Sequence, residues 1–339
     1  MQKTILGRTG LAVSRTAFGC LPLQRLSMDE AALLLQKAYE GGINFFDTAR
    51  AYTDSEQKIG FALSDVRKEI VIATKTMADN VQDFWKQLET SLEKLKTDYI
   101  DIYQFHNPRA VPLPGIENGI YEAALEAKTK GLIRHIGISQ HSLALAVEAV
   151  CSGLYETIQY PFNHLATDAE LSLAPLCGQR NIGFICMKAL SGGLITDASV
   201  SFVFIRRFQN AVPIWGFQRT AELQLLLSFE EKEPAYDSEM EARILTDRKS
   251  LAGSFCRSCG YCLPCPAGIP IHQANRMKQL LTRMPPKNWI TPQWREEMLK
   301  IENCTKCGQC EKRCPYGLKP HETLPGHLRF YLDFIQKTR

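Results

Sequence analysis

The stretch DEAALLLQKAYEGGINFFDTA, residues 29–49, contains the unit from which the fold follows. Its first part places apolar residues at helical spacing and ends in two glycines, which is typical of an amphipathic helix and its C-terminal stop. Its second part, INFFDTA, is rich in β-branched and aromatic residues, which is typical of a short strand. The stretch therefore predicts a helix that leads directly into a strand.

The same alternation of strand and helix continues along the chain to about Phe229. The eight strand candidates are VSRTAFG (13–19), INFFDTA (43–49), IVIATKT (70–76), IDIYQFHN (100–107), IRHIGIS (133–139), TIQYPF (157–162), GFICMKA (183–189) and VPIWGF (212–217). Helical patterns lie between them, for example at 81–95, 119–131 and 143–153. Eight strands that alternate with helices imply a parallel sheet, and eight is the number that closes a barrel. We therefore predict an α/β fold with a (β/α)8 TIM barrel over residues 1–230.

Composition and charge restrict the cellular context. The chain has 339 residues, which is enough for a large core and a second module. Its net charge of +4 is too small to indicate nucleic acid or an anionic membrane as a partner. The opening MQKTILGRTG lacks an apolar signal core, and no run of about 18 apolar residues could span a bilayer. We therefore expect a cytoplasmic protein with no nucleic-acid or membrane partner.

Eight of the twelve cysteines lie in two short arrays, CRSCGYCLPCP (256–266) and CTKCGQCEKRCP (304–315). Three cysteines at two-residue intervals, followed by a fourth before proline, are the pattern of two-cluster ferredoxins, in which the fourth cysteine ligates the other cluster. The pattern therefore predicts two [4Fe–4S] clusters. The first would use Cys256, Cys259, Cys262 and Cys314, and the second would use Cys304, Cys307, Cys310 and Cys265.

Two zinc sites are the alternative for these cysteines. Zinc normally pairs two CxxC knuckles across a longer loop, whereas each array here has three cysteines in succession. The first array departs from the bacterial iron–sulfur pattern because only two residues precede its Cys-Pro pair. The other four cysteines (Cys20, Cys151, Cys177 and Cys186) are scattered among apolar residues and are expected to be buried.

The region around the arrays predicts a small, mainly α-helical ferredoxin-like domain over residues 251–339, after a charged linker or helix at 231–250. Helical patterns occupy 271–284 and 291–302, the second with Thr291 as N-cap followed by proline. No metal pattern includes the histidines of this region, which we expect to be surface or packing residues. They are His272, His321 and His327.

Four polar residues lie at or just beyond the ends of three consecutive barrel strands: Asp47 and Tyr52, then Lys75, then His106. Singly, each has an ordinary structural explanation, but the C-terminal ends of barrel strands share one rim, so the four should converge. A phenol has a reference pKa of about 10, and an adjacent ammonium held by a carboxylate would lower it. With the imidazole holding a carbonyl oxygen beside the phenol, the arrangement suits carbonyl reduction with Tyr52 as proton donor.

The segments GINFFDTARAYTDSEQKIG, IATK and YQFHNP resemble the aldo-keto reductase family, whose catalytic tetrad falls on Asp47, Tyr52, Lys75 and His106. The opening LGRTGLAVSRTAFGC resembles the family's N-terminal hairpin and first strand, so the resemblance covers about residues 1–230. It implies NADPH or NADH as cofactor and a small carbonyl compound as substrate. The cofactor contacts that it implies are Ser139, Gln159 and Asn163 near nicotinamide, Leu190, Ser191 and Gly192 at pyrophosphate, and Arg219 at a further phosphate.

Three features depart from the family pattern. Met187 stands where an aromatic residue usually stacks on nicotinamide, and Gln140 replaces an asparagine. Leu225 and Leu226 replace the Glu-Asn pair that commonly holds adenine. The resemblance therefore leaves the choice between NADH and NADPH open.

Over its whole length the chain resembles an iron–sulfur branch of that family. This resemblance predicts an oxidoreductase that reduces an aldehyde or ketone and whose clusters serve one-electron transfer or structure. Direct exchange between nicotinamide and a one-electron cluster needs a carrier, usually flavin, for which the sequence has no motif. The alternatives are a relay protein whose barrel binds flavin or docks a redox partner protein, and a regulatory subunit whose clusters only hold the fold together.

Overall fold

The computed structural model of the chain describes residues 1–251, 255–283 and 286–338. Within these ranges the strands are β1 (Lys3–Ile5), β2 (Ala12–Ser14), β3 (Ala17–Gly19), β4 (Phe45–Asp47), β5 (Val71–Thr76), β6 (Ile100–His106), β7 (Ile133–Ser139), β8 (Thr157–Pro161), β9 (Gly183–Met187) and β10 (Ala211–Gly216). Strands β3 to β10 pair in parallel and close into a barrel through β10 and β3, while β1 and β2 form an antiparallel hairpin. The predicted TIM barrel is therefore confirmed: seven of the eight barrel strands lie within the predicted stretches, and β10 begins one residue earlier, at Ala211.

The helices that accompany the barrel are α1 (Met28–Glu40), α2 (Ser55–Leu63), α3 (Val81–Leu95), α4 (Ile120–Thr129), α5 (Leu143–Ser152), α6 (Asp168–Leu171), α7 (Leu173–Gln179), α8 (Ala198–Arg206) and α9 (Thr220–Glu231). Local sequence sets their ends. Ser27 and Glu30 form a capping box at the start of α1, and Gly153 ends α5 with a φ of 73°.

The N-terminal hairpin contributes to the apolar core of the barrel. Leu6 and Val13 are buried together with inward-facing strand residues such as Val71, Ile102 and Ile185. Polar side chains are concentrated instead toward the strands' C-terminal ends, where Asp47, Lys75, His106 and Ser139 occur. The barrel therefore provides an apolar base and a polar rim, which is the usual division of this fold between stability and chemistry.

The C-terminal helices are α10 (Ser238–Ser250), α11 (Ile271–Ala274), α12 (Met277–Arg283), α13 (Pro292–Leu299), α14 (Gln309–Lys312) and α15 (Pro320–Thr338). Short 3-10 helices occur at Gly7–Thr9, Leu21–Arg25, Ser64–Glu69, Ser191–Gly193, Pro286–Asn288 and Lys300–Asn303. Helix α15 buries Leu324, Leu328 and Tyr331 in one core with Met277 and Met298. Each fully buried apolar side chain of this kind contributes about 1.5–3 kcal/mol. The predicted helical character of this region is confirmed.

Two local details were not expected from the sequence. The helical pattern at 271–284 forms two helices, α11 and α12, separated at Asn275 and Arg276, where the Asn275 side chain accepts a hydrogen bond from Thr323; Met284 lies outside the described residues. Thr291 does cap α13 by accepting from the N–H of Trp294. Of the four scattered cysteines, Cys151 is exposed, since it lies on the outer face of α5.

The chain divides into two compact units, Met1–Ala189 with Ser199–Glu241, and Leu190–Ala198 with Ala242–Arg339. This division differs from the predicted boundaries, because a segment that follows β9 groups with the C-terminal unit. Within that unit, Arg276 contacts the backbone of the segment, and Arg243 forms a 2.9 Å ion pair with Asp197. In the part of the chain that the structure describes, no helix is long and apolar enough to cross a membrane.

Candidate active site and cysteine arrays

A buried ion pair joins the adjacent strands β4 and β5. Lys75 Nζ donates to Asp47 Oδ1 at 2.7 Å and Oδ2 at 2.8 Å, and also to the Thr48 carbonyl at 2.6 Å. Both side chains are about 1–2% exposed, so neither charge would be tolerated there alone. Burial raises the pKa of Asp47 and lowers the pKa of Lys75, while their mutual attraction opposes both shifts. The pair fixes an ammonium group at the C-terminal end of the strands.

Tyr52 and His106 stand beside this ion pair. Lys75 Nζ lies 5.5 Å from the centroid of the Tyr52 ring, and the His106 ring meets that ring edge-on at 5.8 Å between centroids. Burial, and next the positive charge of Lys75, lowers the pKa of His106 to about 3. The imidazole is therefore neutral near pH 7. Its Nδ1 is buried and, among the described residues, has no hydrogen-bond partner. The structure thus brings the four predicted residues together.

Two buried glutamines support the ion pair. Gln104 Nε2 and Gln159 Nε2 each lie 3.3 Å from a carboxylate oxygen of Asp47, and Gln104 also donates to Gln159 Oε1 at 3.0 Å. Gln104 is not among the predicted site residues, although it lies two residues before His106 and therefore faces the same side of β6. It fits there because Gly137 lies opposite: an added Cβ would come within 2.9 Å of Gln104 Cγ.

The residues predicted to lie near nicotinamide occupy the ends of β7 and β8. Ser139 is buried, and its Oγ accepts from the N–H of Asn107 at 3.2 Å. Gln159 reaches Asp47, as described above. Asn163 donates to the Lys188 carbonyl at 2.8 Å. Lys188 itself has a φ of 59°, an uncommon conformation for a residue other than glycine. These side chains are thus held by internal hydrogen bonds.

The loop predicted to hold pyrophosphate has a conformation suited to anions. Leu190 has φ and ψ near the right-handed helical region (−100°, 19°), and Ser191 and Gly192 follow with φ values of 50° and 65°. A right-handed residue followed by a left-handed one turns successive backbone N–H groups toward one concave side, which is an arrangement that binds anions.

The positions expected to contact the rest of the nucleotide are less favourable. Arg219 is exposed and donates from Nε and Nη2 to Glu222 Oε1, at 2.9 and 2.6 Å. Leu226 is buried in α9, whereas Leu225 is exposed. No adenine-binding pair therefore stands at these two positions.

The second cysteine array lines a cavity. Its wall includes the four cysteines predicted to hold the second cluster, Cys265, Cys304, Cys307 and Cys310, together with Cys262 and apolar residues such as Ile271 and Leu324. His321, which was expected to be a surface or packing residue, also lines this cavity. The structure thus brings Cys265 of the first array to the cysteines of the second.

The cysteines of the first array lie near Cys314 of the second array. The thiols of Cys256 and Cys262 interact electrostatically with Cys259 and with Cys314, which belongs to the second array by sequence. Burial raises the pKa of both Cys256 and Cys262. Within the described ranges, no three His, Cys, Asp or Glu side chains converge closely enough to share one metal ion. A cubane does not require such convergence, because each cysteine binds a separate iron corner.

The two arrays share one backbone conformation. The second residue after the first cysteine has a positive φ in both, 54° at Ser258 and 55° at Lys306. The glycine after the second cysteine does too, with 83° at Gly260 and 72° at Gly308. Such turns direct backbone N–H groups at the enclosed sulfur atoms; the N–H of Ser258 lies 3.4 Å from Cys256 Sγ. The arrays are therefore two copies of one loop, built to hold the same kind of group.

Comparisons with known proteins agree with the division of the chain into a barrel and a cysteine-rich C-terminal region. Residues 15–222 match the model of the aldo/keto reductase family, and residues 255–319 match the 4Fe-4S dicluster domain. The oxidoreductase YqkF of Bacillus subtilis is 30% identical over 235 residues, which cover 64% of this chain and 74% of that protein.

Solved structures of aldo-keto reductases resemble the barrel part of the chain. One described as an aldo-keto reductase from Pseudomonas aeruginosa is 27% identical, with a TM-score of 0.60 over 72% of this chain and 95% of that one. An aldo/keto reductase from Klebsiella pneumoniae in complex with NADP and acetate is 19% identical, with a TM-score of 0.62 over 72% and 94%, and so is similar in fold. The chain thus belongs to the aldo/keto reductase family and carries a C-terminal 4Fe-4S dicluster domain.

Proposed function

We propose that this oxidoreductase reduces a small aldehyde or ketone with NADPH or NADH, and that Tyr52 donates the proton. The observation that carries the proposal is the buried Asp47–Lys75 ion pair beside the Tyr52 ring. An ammonium in this position stabilises the phenolate that remains after the proton has left. The residues are rigidly held, so they need little reorganisation during the reaction.

The neutral imidazole of His106 gives the site its orienting group. An uncharged ring can donate one N–H to a carbonyl oxygen without adding a second positive charge next to Lys75. A buried Nδ1 that lacks a partner among the described residues indicates that the ring is incompletely hydrogen-bonded within the protein. The role assigned to His106 is therefore to hold the carbonyl oxygen within reach of the Tyr52 hydroxyl.

The residues near β7 and β8 fit a nicotinamide cofactor, which when bound supplies the hydride to the carbonyl carbon. The Ser139, Gln159 and Asn163 side chains are preorganised by hydrogen bonds, and the Leu190–Gly192 turn has the form of an anion site. The NADP in the Klebsiella structure supports the same choice of cofactor. We assign these residues, and Arg219, to nucleotide binding.

The cysteine arrays fit two [4Fe–4S] clusters, which when bound carry single electrons. Cys265 shares a cavity wall with Cys304, Cys307 and Cys310, and Cys314 interacts electrostatically with Cys262; both observations support the proposed ligand sets. Backbone N–H groups from the left-handed turns would hydrogen-bond the sulfur atoms and stabilise their negative charge.

A second candidate is an electron relay, in which the barrel receives a redox partner protein or flavin. It is favoured by the nucleotide end of the site, where Arg219 is paired with Glu222 and the adenine positions hold Leu225 and Leu226. The two candidates differ in whether nicotinamide binds at all.

Tyr52→Phe tests the main proposal because it removes the hydroxyl and keeps the ring. We expect kcat for NADPH-dependent reduction of a panel of small aldehydes to fall by about 10²–10⁴-fold, since this is the range for general acid catalysis. Nucleotide affinity, measured by quenching of protein fluorescence, should change little. Tyr39→Phe is the matched control, because Tyr39 donates to Glu69 on the surface. Equal turnover of Tyr52→Phe and wild type would contradict the assignment.

A further inference from the structure

A buried arginine in the C-terminal unit contacts the loop after β9. Arg276 lies in the break between α11 and α12 and is 3% exposed. Its Nη2 donates to the Gly192 carbonyl at 3.0 Å and lies 3.4 Å from the Ser191 carbonyl. Its Nε is buried and, among the described residues, has no hydrogen-bond partner. The guanidinium therefore clamps the loop through two carbonyls and retains unused donor capacity.

The same side chain is close to the first cysteine array. A Cβ added to Gly192 would lie 3.4 Å from Arg276 Nη1 and 3.8 Å from Ser258 Cβ, so Gly192 fits between the two. Ser258 is the left-handed residue whose N–H lies 3.4 Å from Cys256 Sγ. The positive charge of Arg276 also acts on the Cys256 thiol. Loop, arginine and array thus form one contiguous set of contacts within the unit.

Electrostatics gives a reason for this arrangement. A guanidinium has five N–H donors and no acceptor, and it keeps its charge in proteins. A charge buried beside neutral carbonyls is poorly compensated unless a negative group is near. The thiolates and sulfides of a cluster in the first array would supply that negative charge.

We propose that Arg276 is a positioning residue that makes the order of the Leu190–Gly193 loop depend on the first cluster. With the cluster present, the guanidinium is held at the array and fixes the Ser191 and Gly192 carbonyls. Because the N–H and C=O of a peptide unit point in opposite directions, the contact with the Ser191 carbonyl leaves the Gly192 N–H directed away from the arginine, toward a phosphate. The N–H of Gly193 is bonded to the Leu190 carbonyl at 2.9 Å and keeps the turn closed. The phosphate part of the inference rests on the proposed function; the clamp does not.

The experiment compares Arg276→Met, Arg276→Lys and Arg313→Met in anaerobically purified full-length protein. Methionine keeps an unbranched apolar stem without the charge, and lysine keeps the charge without the planar fork. Arg313 is the matched control, because its Nη1 donates to the Pro264 carbonyl at 3.2 Å, next to Cys265, and not to the loop after β9. The readouts are amide hydrogen exchange of residues 190–195, the dissociation constant of NADPH, and the midpoint potential of each cluster.

In Arg276→Met we expect exchange of residues 190–195 to be about 10-fold faster or more, and NADPH to bind about 10-fold more weakly, as loss of a hydrogen bond to a charged group implies. The first cluster should shift to a lower midpoint potential, because a nearby positive charge favours the more negative reduced state. Arg276→Lys should keep the potential near that of wild type but lose the protection of the loop. In Arg313→Met, amide hydrogen exchange of residues 190–195 should be as slow as in wild type.

Wild-type exchange of residues 190–195 in Arg276→Met would overturn the inference. If wild type itself binds no NADPH, the proposed function fails, and the exchange readout still decides whether the clamp exists. If Arg276→Met does not fold, the comparison uses Arg276→Lys and wild-type protein from which iron has been removed. Unchanged protection of the loop in both would likewise overturn the inference.

Discussion

At the scale of single residues, the charge state of His106 decides how the site responds to pH. Burial beside Lys75 holds its pKa at about 3, whereas an imidazole in water titrates near 6.5. The folded protein therefore binds no proton at His106 between these values, whereas the unfolded chain does. The contribution of His106 to the free energy of unfolding is therefore fully present above pH 6.5. It is lost progressively as the pH falls from 6.5 toward 3, because protons bind the unfolded chain first.

This leads to a spectroscopic prediction. In NMR titrations of the full-length protein from pH 5 to 8, the His106 ring signals should not shift, because the ring stays neutral throughout. The His106→Gln spectrum identifies those signals, and His135, which is paired at 2.7 Å with Glu156, provides a second assigned histidine for comparison. A His106 midpoint near 6.5 would contradict both the burial and the proposed neutral donor.

Single residues also show how far the sequence could be interpreted. The convergence of Asp47, Tyr52, Lys75 and His106 was predictable because each lies at or after the end of a barrel strand and because the motif resembles a known family. Gln104 was not predicted, since a polar residue within a strand has no distinctive pattern until its partners Asp47 and Gln159 are known. The pairing of Arg219 with Glu222 was likewise hidden, although the i, i+3 spacing on a helix allowed it.

At the scale of elements, the strands and most helices followed from periodicity, whereas the break between α11 and α12 did not. The residues at the break, Asn275 and Arg276, have partners far away in sequence, namely Thr323 and the carbonyls of Ser191 and Gly192. A helical pattern over 271–284 describes only local preference, which tertiary contacts can override.

The repeated cysteine loops lead to a prediction about ligand exchange. Anaerobically purified protein should contain about eight irons and eight sulfides per chain, as two cubanes require. Cys314→Ser should alter the electron paramagnetic resonance of one reduced cluster, the one assigned to Cys256, Cys259 and Cys262, and affect the other less.

Cys151→Ser is the control for this experiment, because Cys151 is exposed on the barrel and belongs to neither array. Stoichiometric zinc without acid-labile sulfide would show that the iron–sulfur assignment is wrong. Loss of signal from the cluster assigned to Cys265, with the other intact, would reverse the proposed ligand sets.

At the scale of the whole molecule, the question is whether barrel and clusters take part in one reaction. Carbonyl reduction by hydride and a tyrosine proton is complete without iron, and a cluster accepts only one electron at a time. We therefore expect that NADPH alone will not bleach the cluster absorbance rapidly, whereas a low-potential one-electron donor will. Added flavin should permit bleaching by NADPH, because flavin exchanges both hydrides and single electrons.

Stopped-flow absorbance in the cluster band, with and without flavin, measures this directly. Bleaching by NADPH alone at the rate of turnover would show that the two halves act together. If NADPH does not bind while the one-electron donor reduces the clusters, the relay becomes the better account of the protein. Tyr52→Phe separates these cases, since it should leave cluster reduction by the one-electron donor unchanged.

The proposed exchange of cysteines between the arrays has a consequence for folding as well. A cluster that joined Cys256 to Cys314, and another that joined Cys265 to Cys304, would be cross-links that close long loops around α11, α12 and α13. In a chain-entropy description, a closed loop of a few tens of residues removes roughly 4 kcal/mol of disorder from the unfolded chain. The clusters would therefore stabilise a domain in which α11, α12, α13 and α14 are short, whether or not they carry electrons.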